Sequence, residues 1–318
     1  VYVRSGHKWT LQATLQPDDI NNGDDFGISF GSTPDGNKLV VAAQQYSAVV
    51  SGTNYSGSGG IWVYKREGTT WSIESSFVPK EVYDSTGDKE IDSISISDDG
   101  TRIVAGSHSI TRDNTPNKGR IYVFEMSRNG IWTQQTLVCP TDSLHLGIEV
   151  SISGDGNTIA AGAPESDTTG TTGNAGGAVY IFMREETQTL NSGNDRIVFG
   201  TEWKLGGRLA SDPGATDSGK IVPTDIEANM FFGCSCSLSN DGNTLVIGAR
   251  DANYPGGTTN IGAVYIFTRS SGIWSQEAKL FPNDPVLTGG STNFAPTNGI
   301  SISSDGNRIA VGRTQPAN

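Results

Sequence analysis

The heptapeptide SGDGNTI at residues 153–159 decides the fold, because close copies of it recur along the chain. Each copy has Ser or Thr two residues before an Asp-Gly pair, and a short apolar run follows it. The other copies are STPDGNKL at 32–39, SDDGTRI at 97–103, SNDGNTL at 239–245 and SSDGNRI at 303–309. Their glycines are separated by 64, 56, 86 and 64 residues. The chain is therefore predicted to consist of repeats of roughly 60 residues, one of which carries an insertion.

Each copy is predicted to be a β-hairpin. Before the turn, Ile94 and Ile96 alternate with serines, and residues 148–152 and 234–238 alternate in the same way, which indicates strands. The Asp-Gly pair supplies the residue with positive φ that a tight turn needs. The runs that follow, such as residues 159–161, are apolar and typical of buried strands.

A second hairpin follows each of the first four. Its first strand is IWVY at 61–64, IYVF at 121–124 or VYIF at 179–182 and 264–267, and VYV at 1–3 resembles the end of the same strand. A turn then leads to one tryptophan per repeat, namely Trp9, Trp71, Trp132, Trp203 and Trp274. Four strands per repeat and no helical periodicity predict an all-β fold, a β-propeller of four-stranded antiparallel blades. The tryptophans are predicted to wedge between neighbouring blades.

The order of the hairpins predicts a single propeller domain over residues 1–318. Five blades are visible. Residues 299–318 are predicted to complete one blade with residues 1–16, and the other blades to span approximately 26–78, 91–138, 147–210 and 231–281. A segment cut from a larger ring would show the same order, so that alternative stays open.

Composition argues against several classes of partner. The chain has 22 Lys and Arg against 34 Asp and Glu, a net charge of −12, and no basic run. Nucleic acid and anionic membrane surfaces are therefore not expected as partners. Membrane insertion is not expected, because no apolar stretch approaches the roughly 18 residues that cross a bilayer. Cys139, Cys234 and Cys236 are predicted to be buried thiols rather than a disulfide framework or a zinc site.

Several of these motifs resemble FG-GAP repeats, the repeat family of integrin α-subunit propellers and of many microbial and viral surface proteins. The resemblance rests on Phe26-Gly27, Phe232-Gly233, the five Asp-Gly turns, Gly162-Ala163-Pro164 and GAVYIF at 177–182, and it covers nearly the whole chain. It implies a propeller used in adhesion or assembly that is extracellular, cell-surface or virion-exposed. It names no ligand.

Calcium is the one cofactor that this resemblance raises. Integrin-type repeats often carry a loop in which alternating carboxylates surround the ion. Here only one carboxylate per turn is present in every copy, so the preferred interpretation is an Asp that caps its own turn. The weak calcium candidates are Asp35, Asp99, Asp155, Asp241 and Asp305.

Binding residues are expected in the long loops. Connections between hairpins and between blades leave one face of a propeller, opposite the hairpin turns, and loops on a rigid scaffold often carry function. The candidates are Tyr46, Tyr55, Asp167, Asp251 and Tyr254. The sequence favours a non-enzymatic recognition or structural module that binds protein or glycan through this long-loop face. No catalytic residue is assigned.

The alternative function is a carbohydrate-active enzyme, a glycoside hydrolase or polysaccharide lyase, with its site in the axial funnel. Glu149 is the unusual carboxylate on an inner strand, and it is predicted to line the channel rather than to catalyse. His7, His108 and His145 fall in three different repeats without ligand spacing, which argues against a triad or metal site. Residues 184–202 are predicted to lengthen an outer hairpin on the opposite face, as a separate contact point.

Overall fold

The computed structural model describes residues 1–50, 53–79, 90–112, 115–135, 137, 139–168, 175–191, 196–210, 219–255, 260–283 and 294–314. These ranges contain strands and no helix, so the predicted all-β class is confirmed. Accordingly, no helix that could span a membrane occurs in the part of the chain described. The chain begins with a hairpin of β1 (Tyr2–Ser5) and β2 (Lys8–Leu11).

The first two blades are antiparallel sheets of four strands. Blade 1 consists of β3 (Phe26–Ser32), β4 (Lys38–Ala43), β7 (Gly60–Glu67) and β8 (Thr70–Phe77), paired in that order. Between its second and third strands lies a small hairpin of β5 (Ala48–Val50) and β6 (Thr53–Tyr55). Blade 2 consists of β9 (Ser93–Ile96), β10 (Arg102–Ser107), β11 (Arg120–Met126) and β12 (Trp132–Gln135).

The next two blades each add a short fifth strand. Blade 3 consists of β13 (Val150–Ile152), β14 (Thr158–Ala163), β15 (Ala178–Asn191) and β16 (Arg196–Leu205). Blade 4 consists of β19 (Phe232–Leu238), β20 (Thr244–Ala249), β21 (Ala263–Ser270) and β22 (Ile273–Leu280). The connection between them supplies β17 (Arg208–Leu209), parallel to β22, and β18 (Lys220–Ile221), which pairs with β15. This connection therefore joins both sheets and crosses the blade limits predicted at 210 and 231.

The chain ends with a hairpin of β23 (Ile300–Ile302) and β24 (Ile309–Val311). Among the described residues, this hairpin and the N-terminal hairpin form two separate two-stranded sheets. The closing blade formed by 299–318 with 1–16 stays a prediction.

The Asp-Gly turns have the predicted backbone. Their glycines adopt φ between +63° and +72°. Backbone hydrogen bonds link successive turns near the axis: Asp98 N–H to Gly154 O at 2.9 Å, Gly154 N–H to Asn240 O at 2.9 Å, and Asn240 N–H to Ser304 O at 3.1 Å. Blade 1 has Pro34 in the corresponding place, and proline has no N–H to donate. Each blade thus donates to the next, beginning with blade 2.

Serines on the inner strands also join the blades, but in the opposite direction, because here the backbone N–H of the following blade donates to the hydroxyl of the preceding one. Ser93 Oγ accepts a hydrogen bond from Val150 N–H at 3.1 Å, and Ser151 Oγ accepts one from Leu238 N–H at 3.0 Å. Ser29 Oγ accepts one from Ile94 N–H at 3.0 Å. The alternation of serine with apolar residues thus contributes two kinds of contact. The apolar side chains pack between blades, and the hydroxyls accept hydrogen bonds from the inner strand of the next blade.

An apolar cluster fills each junction between consecutive blades. Ile61 of blade 1 packs with Ile103 of blade 2, and Val123 of blade 2 packs with Ile159 of blade 3. The repeated tryptophans belong to these clusters, with Trp132, Trp203 and Trp274 at the three successive junctions. Trp9 differs, since 65% of its surface is exposed.

The FG and GAP motifs meet at the blade junctions. A Cβ atom at Gly162 would overlap the carbonyl oxygen of Gly233 in blade 4, and one at Gly106 would overlap that of Gly147 in blade 3. At Gly248 the nearest atom would be Ala295 O at 2.9 Å, and at Gly312 it would be Gly299 O at 3.5 Å. Glycine is needed where the backbone of the following blade comes closest.

Candidate functional site

Polar side chains gather on the long-loop face, at the end of the blades opposite the Asp-Gly turns. They come from two repeated places: just after the second strand of a blade, and just before its inner strand. We call this group the polar arc, and it consists of Gln44, Gln45, Glu90, Asp92, His108, His145, Glu165 and Arg250.

Two glutamines begin the arc at the junction of blades 1 and 2. Gln44 Nε2 donates to Glu90 Oε2 at 3.1 Å and to Asp92 Oδ1 at 2.8 Å. Gln45 Nε2 donates to Glu90 Oε1. The two carboxylates of blade 2 are thereby held in place by neutral donors of blade 1.

The next contact is a carboxylate–imidazole pair within blade 2. Asp92 is only 8% exposed, and its Oδ2 accepts hydrogen bonds from the backbone N–H of His108 at 2.9 Å and from His108 Nδ1 at 2.6 Å. The carboxylate can only accept, so the proton of the neutral imidazole lies on Nδ1. The hydrogen bond to Asp92 raises the pKa of His108, although burial opposes the shift.

A second imidazole lies beside the first. The ring centroids of His108 and His145 are 5.3 Å apart, with the rings edge to face. His145 Nδ1 lies 3.3 Å from Glu165 Oε1. Burial lowers the pKa of His145, and the charge of Arg250 and of His108 adds to that shift while Glu165 opposes it. The sequence placed these histidines in different repeats and predicted no triad or metal site, and the structure brings His108 and His145 side by side.

An alignment of the repeats would have predicted that His108 and His145 are neighbours. His108 follows β10 directly, and His145 lies two residues before Gly147, the glycine in the FG position of blade 3. The end of one blade and the start of the next meet at every junction, so residues in these two places become neighbours. Spacing along a single repeat cannot reveal a contact between two repeats.

Arg250 ends the arc in blade 4. Its guanidinium lies 4.2 Å from the centroid of the Phe231 ring, a cation–π contact, and its Nε is 4.0 Å from Asp251 Oδ2. Phe231 and His145 adopt φ of 54° and 55°, in the left-handed region that bulky residues rarely adopt. Asp25 has φ of 53° at the same place in blade 1. Such conformations often mark functional sites.

Glu149 lies deeper, at the start of the inner strand of blade 3. Its Oε1 accepts a hydrogen bond from Ser93 Oγ at 2.9 Å, and its Oε2 accepts one from the backbone N–H of Asn298 at 3.1 Å. Blades 1, 2 and 4 have Ser29, Ser93 and Ser235 at the corresponding place. Burial raises the pKa of Glu149 to about 7. Its carboxylate thus connects blades 2 and 3 to the C-terminal segment.

The five predicted binding residues lie on three blades. Tyr46 is not a loop tip: its ring packs edge to face on Trp62 at 5.0 Å, and its hydroxyl donates to Asp19 Oδ2 at 2.7 Å. Burial and Asp19 raise its pKa to about 12. It lines a groove of about 240 Å³ together with Val49 and Phe77.

The other four candidates have different surroundings. Tyr55 is half-buried in β6, opposite Ala48 of β5, and Asp167 is exposed on blade 3. Burial raises the pKa of Asp251, next to Arg250 at the end of the polar arc. Tyr254 packs edge to face on Phe281 at 5.2 Å. Of the five, Tyr46 and Asp251 are adjacent in sequence to members of the arc, Gln45 and Arg250, and binding by all five stays a prediction.

The calcium candidates lie on the opposite face, where each carboxylate is bound within its own turn. In every turn a Ser or Thr hydroxyl and the backbone N–H two residues on donate to the same Asp Oδ1, as Ser239 Oγ does to Asp241 at 2.6 Å. These bonds lower the pKa of all five aspartates. Asp155, Asp241 and Asp305 line a shallow cavity of about 550 Å³. The described residues contain no group of three or more His, Cys, Asp or Glu that could hold a metal.

The insertion at 184–202 is an extension of the outer hairpin of blade 3. Strands β15 and β16 pair from Phe182 with Leu205 out to Asn191 with Arg196. Residues 192–195, which connect them, lie outside the described ranges. The extension begins with an inter-blade ion pair, in which Arg184 Nε is 2.8 Å from Glu125 Oε1 of blade 2.

Comparison with known proteins agrees with this fold. The family model of the FG-GAP repeat matches residues 215–267, so the chain carries an FG-GAP repeat there and the predicted resemblance is confirmed. The structure is similar to that of the periplasmic gluconolactonase of Pseudomonas aeruginosa, with a TM-score of 0.55 and 15% sequence identity over 98% of this chain and 70% of that chain. At this identity the similarity shows the β-propeller fold alone. No curated protein sequence matches the chain.

Proposed function

We propose that this FG-GAP propeller is a recognition module that binds protein or glycan through its long-loop face. The observation that carries the proposal is the polar arc, in which side chains from blades 1 to 4 lie on one face around the axis. Amide, carboxylate, imidazole and guanidinium groups alternate along it, and this mixture suits a ligand rich in hydroxyl and amide groups. The residues of the arc lie next to the ends of strands that the inter-blade hydrogen bonds hold in place.

The partner is proposed to lie outside the cell or on a particle. Support comes from the FG-GAP repeat at residues 215–267 and from the resemblance of the sequence motifs to integrin α-subunit propellers and to microbial and viral surface proteins. The net charge of −12 makes nucleic acid an unfavourable partner and gives no attraction to an anionic membrane. The binding surface is proposed to be the polar arc with Asp251 and Tyr254 of blade 4.

A carbohydrate-active enzyme in the axial funnel is the weaker candidate. The fold does not exclude catalysis, because the similar gluconolactonase is an enzyme. Glu149 is the acidic residue that such a site would use, and its pKa of about 7 suits a general acid. Both oxygens of Glu149, however, accept hydrogen bonds from the protein itself. We therefore assign Glu149 a structural role.

The test compares two arginine variants on opposite faces. Binding of the protein to immobilised glycans and to cell-surface extracts is measured for Arg250→Gln, on the arc, and for Arg308→Gln, on the face with the hairpin turns. We expect Arg250→Gln to weaken binding by about tenfold or more, as the loss of a charged hydrogen-bond donor does. Arg308→Gln should bind like the wild type. Equal loss in both variants, or no binding to any glycan or protein, contradicts the proposal.

A further inference from the structure

We propose that His108 and His145 act as a general acid and a general base that hydrolyse carboxylic esters at the polar arc. This activity goes beyond recognition and does not depend on it. The argument starts from the geometry of the two rings.

Both imidazoles have a carboxylate beside the same nitrogen. In each ring Nδ1 is next to a carboxylate, Asp92 at 2.6 Å for His108 and Glu165 at 3.3 Å for His145. Neither Nε2 has a hydrogen-bond partner among the described residues, and the side chain of His108 is 26% exposed. A carboxylate on Nδ1 fixes the orientation and tautomer of a catalytic histidine and leaves Nε2 for the substrate.

The separation of the rings suits one reacting centre. A general acid or base must lie within about 3 Å of the oxygen whose proton it moves. The attacking and leaving oxygens of a tetrahedral intermediate are attached to the same carbon, so the two groups that serve them must be close neighbours. Ring centroids 5.3 Å apart meet this requirement.

The environments separate the two roles. Asp92 raises the pKa of His108, with smaller contributions from Glu90 and Glu165, so His108 keeps its proton more readily. Burial lowers the pKa of His145, and Arg250 and His108 lower it further against the opposing charges of Glu165 and Asp92. His108 is therefore the acid and His145 the base, since groups whose pKa values are driven apart divide these tasks.

The surrounding charge indicates the substrate class. Glu90, Asp92 and Glu165 act on this pair, and Arg250 is the cation that does so among the described residues. Excess negative charge repels a phosphate ester, whereas an uncharged carboxylic ester carries no such penalty. An ester needs one proton removed from water and one given to its alcohol, which is what this pair supplies.

The proposed step conserves atoms and charge. His145 Nε2 takes a proton from water while the water oxygen adds to the acyl carbon and the carbonyl π electrons move onto oxygen. The carbonyl then re-forms, and the bond to the alkoxy oxygen breaks with its electron pair. His108 Nε2 gives its proton to that oxygen, so the products are an alcohol and a carboxylic acid. Solvent returns one proton from His145 to His108.

The experiment uses the whole protein with p-nitrophenyl acetate and penta-O-acetylglucose as probes. We expect saturable release of acetate by the wild type, and a fall in kcat of about 100-fold or more in His108→Gln and in His145→Gln. His7→Gln is the matched control, because His7 is exposed in the N-terminal hairpin. It should retain wild-type kcat.

The dependence on pH separates catalysis from a structural role. The rate should rise as His145 loses its proton below the ordinary pKa of 6.5 and fall as His108 loses its proton above it. Glu165→Gln removes the carboxylate that raises the pKa of His145, so the acid limb should move to lower pH. If a histidine variant does not fold, the shifted pH profile of Glu165→Gln tests the proposal in place of that variant. Absence of turnover with both probes, or folded histidine variants with wild-type kcat, overturns the proposal.

Discussion

The carboxylate of Glu149 accepts a hydrogen bond from the backbone N–H of Asn298 at 3.1 Å, although 149 residues separate them along the chain. The same side chain also holds Ser93 of blade 2. A position that is serine in three other blades thus carries a longer acid that reaches both blade 2 and the C-terminal segment. Its burial disfavours the charged form, which gives the contact a dependence on pH.

Replacing Glu149 by Gln should stabilise the protein above neutral pH. The folded pKa of about 7 lies above the ordinary value of 4.5, so the folded state holds the proton more tightly. The contribution of Glu149 is therefore greatest below pH 4.5 and is lost as pH rises to about 7. We expect Glu149→Gln to remove this loss and to raise the free energy of unfolding by about 1–3 kcal/mol at pH 8. The uncharged amide can accept the hydrogen bond from the backbone N–H of Asn298 and donate one to the hydroxyl of Ser93. Urea unfolding between pH 5 and 8 measures it. A wild type with no such pH dependence contradicts the prediction.

Alanine at the GAP-type glycines should destabilise the protein in a graded order. Gly162→Ala and Gly106→Ala put a methyl group against the carbonyl of the next blade, and we expect a loss of about 3 kcal/mol or more. Gly248→Ala, where the nearest atom is at 2.9 Å, should cost less. Gly312→Ala is the matched control, since its nearest atom lies at 3.5 Å in ordinary contact. Thermal unfolding gives the order, and equal effects at Gly162 and Gly312 would rule out the inter-blade explanation.

Replacing an inner-strand serine by alanine should lower the stability of the protein only where the backbone of a following blade donates a hydrogen bond to the hydroxyl. Ser151→Ala deprives the backbone N–H of Leu238 of its acceptor, and we expect a loss of about 1–3 kcal/mol for this buried donor. Ser301 occupies the same place in β23 and is exposed, so Ser301→Ala should be neutral. Urea midpoints of the two variants test this pair. An unchanged urea midpoint in Ser151→Ala would show that water or another group replaces the hydroxyl as the acceptor.

The turn aspartates should make the protein sensitive to acid but not to chelators. The pKa of Asp241 is lowered below its ordinary value of 3.8, so its stabilising contribution is present above that pH and is lost as pH falls through the folded pKa. Asp241→Asn should therefore lose less stability than the wild type between pH 4 and 2. Ser239 and Asn243 already donate to both carboxylate oxygens, so EDTA should leave Tm unchanged. A rise in Tm with millimolar calcium would restore the calcium hypothesis.

The repeats predicted the hairpins because a turn is a local property. The Asp-Gly pairs fix φ at their glycines, and the serine alternation fixes which side chains face the junctions. The sequence also identified Glu149 as the unusual inner-strand acid. Its hydrogen bond to Asn298 depends on where the C-terminal segment lies relative to blade 3, and no single repeat contains that information.

The polar arc could not be predicted from individual repeats for the same reason. His108 and His145 meet because the end of β10 and the start of blade 3 share a junction. Tyr46 illustrates the opposite case, in which a residue expected at a loop tip packs on Trp62, where the hairpin of β5 and β6 follows it. Loop composition indicates exposure on average, but it does not determine the packing of one aromatic ring.

The hydrogen bonds that run from turn to turn at Asp98, Gly154, Asn240 and Ser304 have a direction, since every N–H points to the following blade. A tandem duplication of blade 2, 3 or 4 would supply one new donor and one new acceptor in matching positions, without a compensating mutation. Recombination can therefore change the number of these units at little structural cost. Blade 1 is the exception, because a second copy of Pro34 would interrupt the series wherever it was inserted. The geometry that holds the blades together thus also determines which of them evolution can copy.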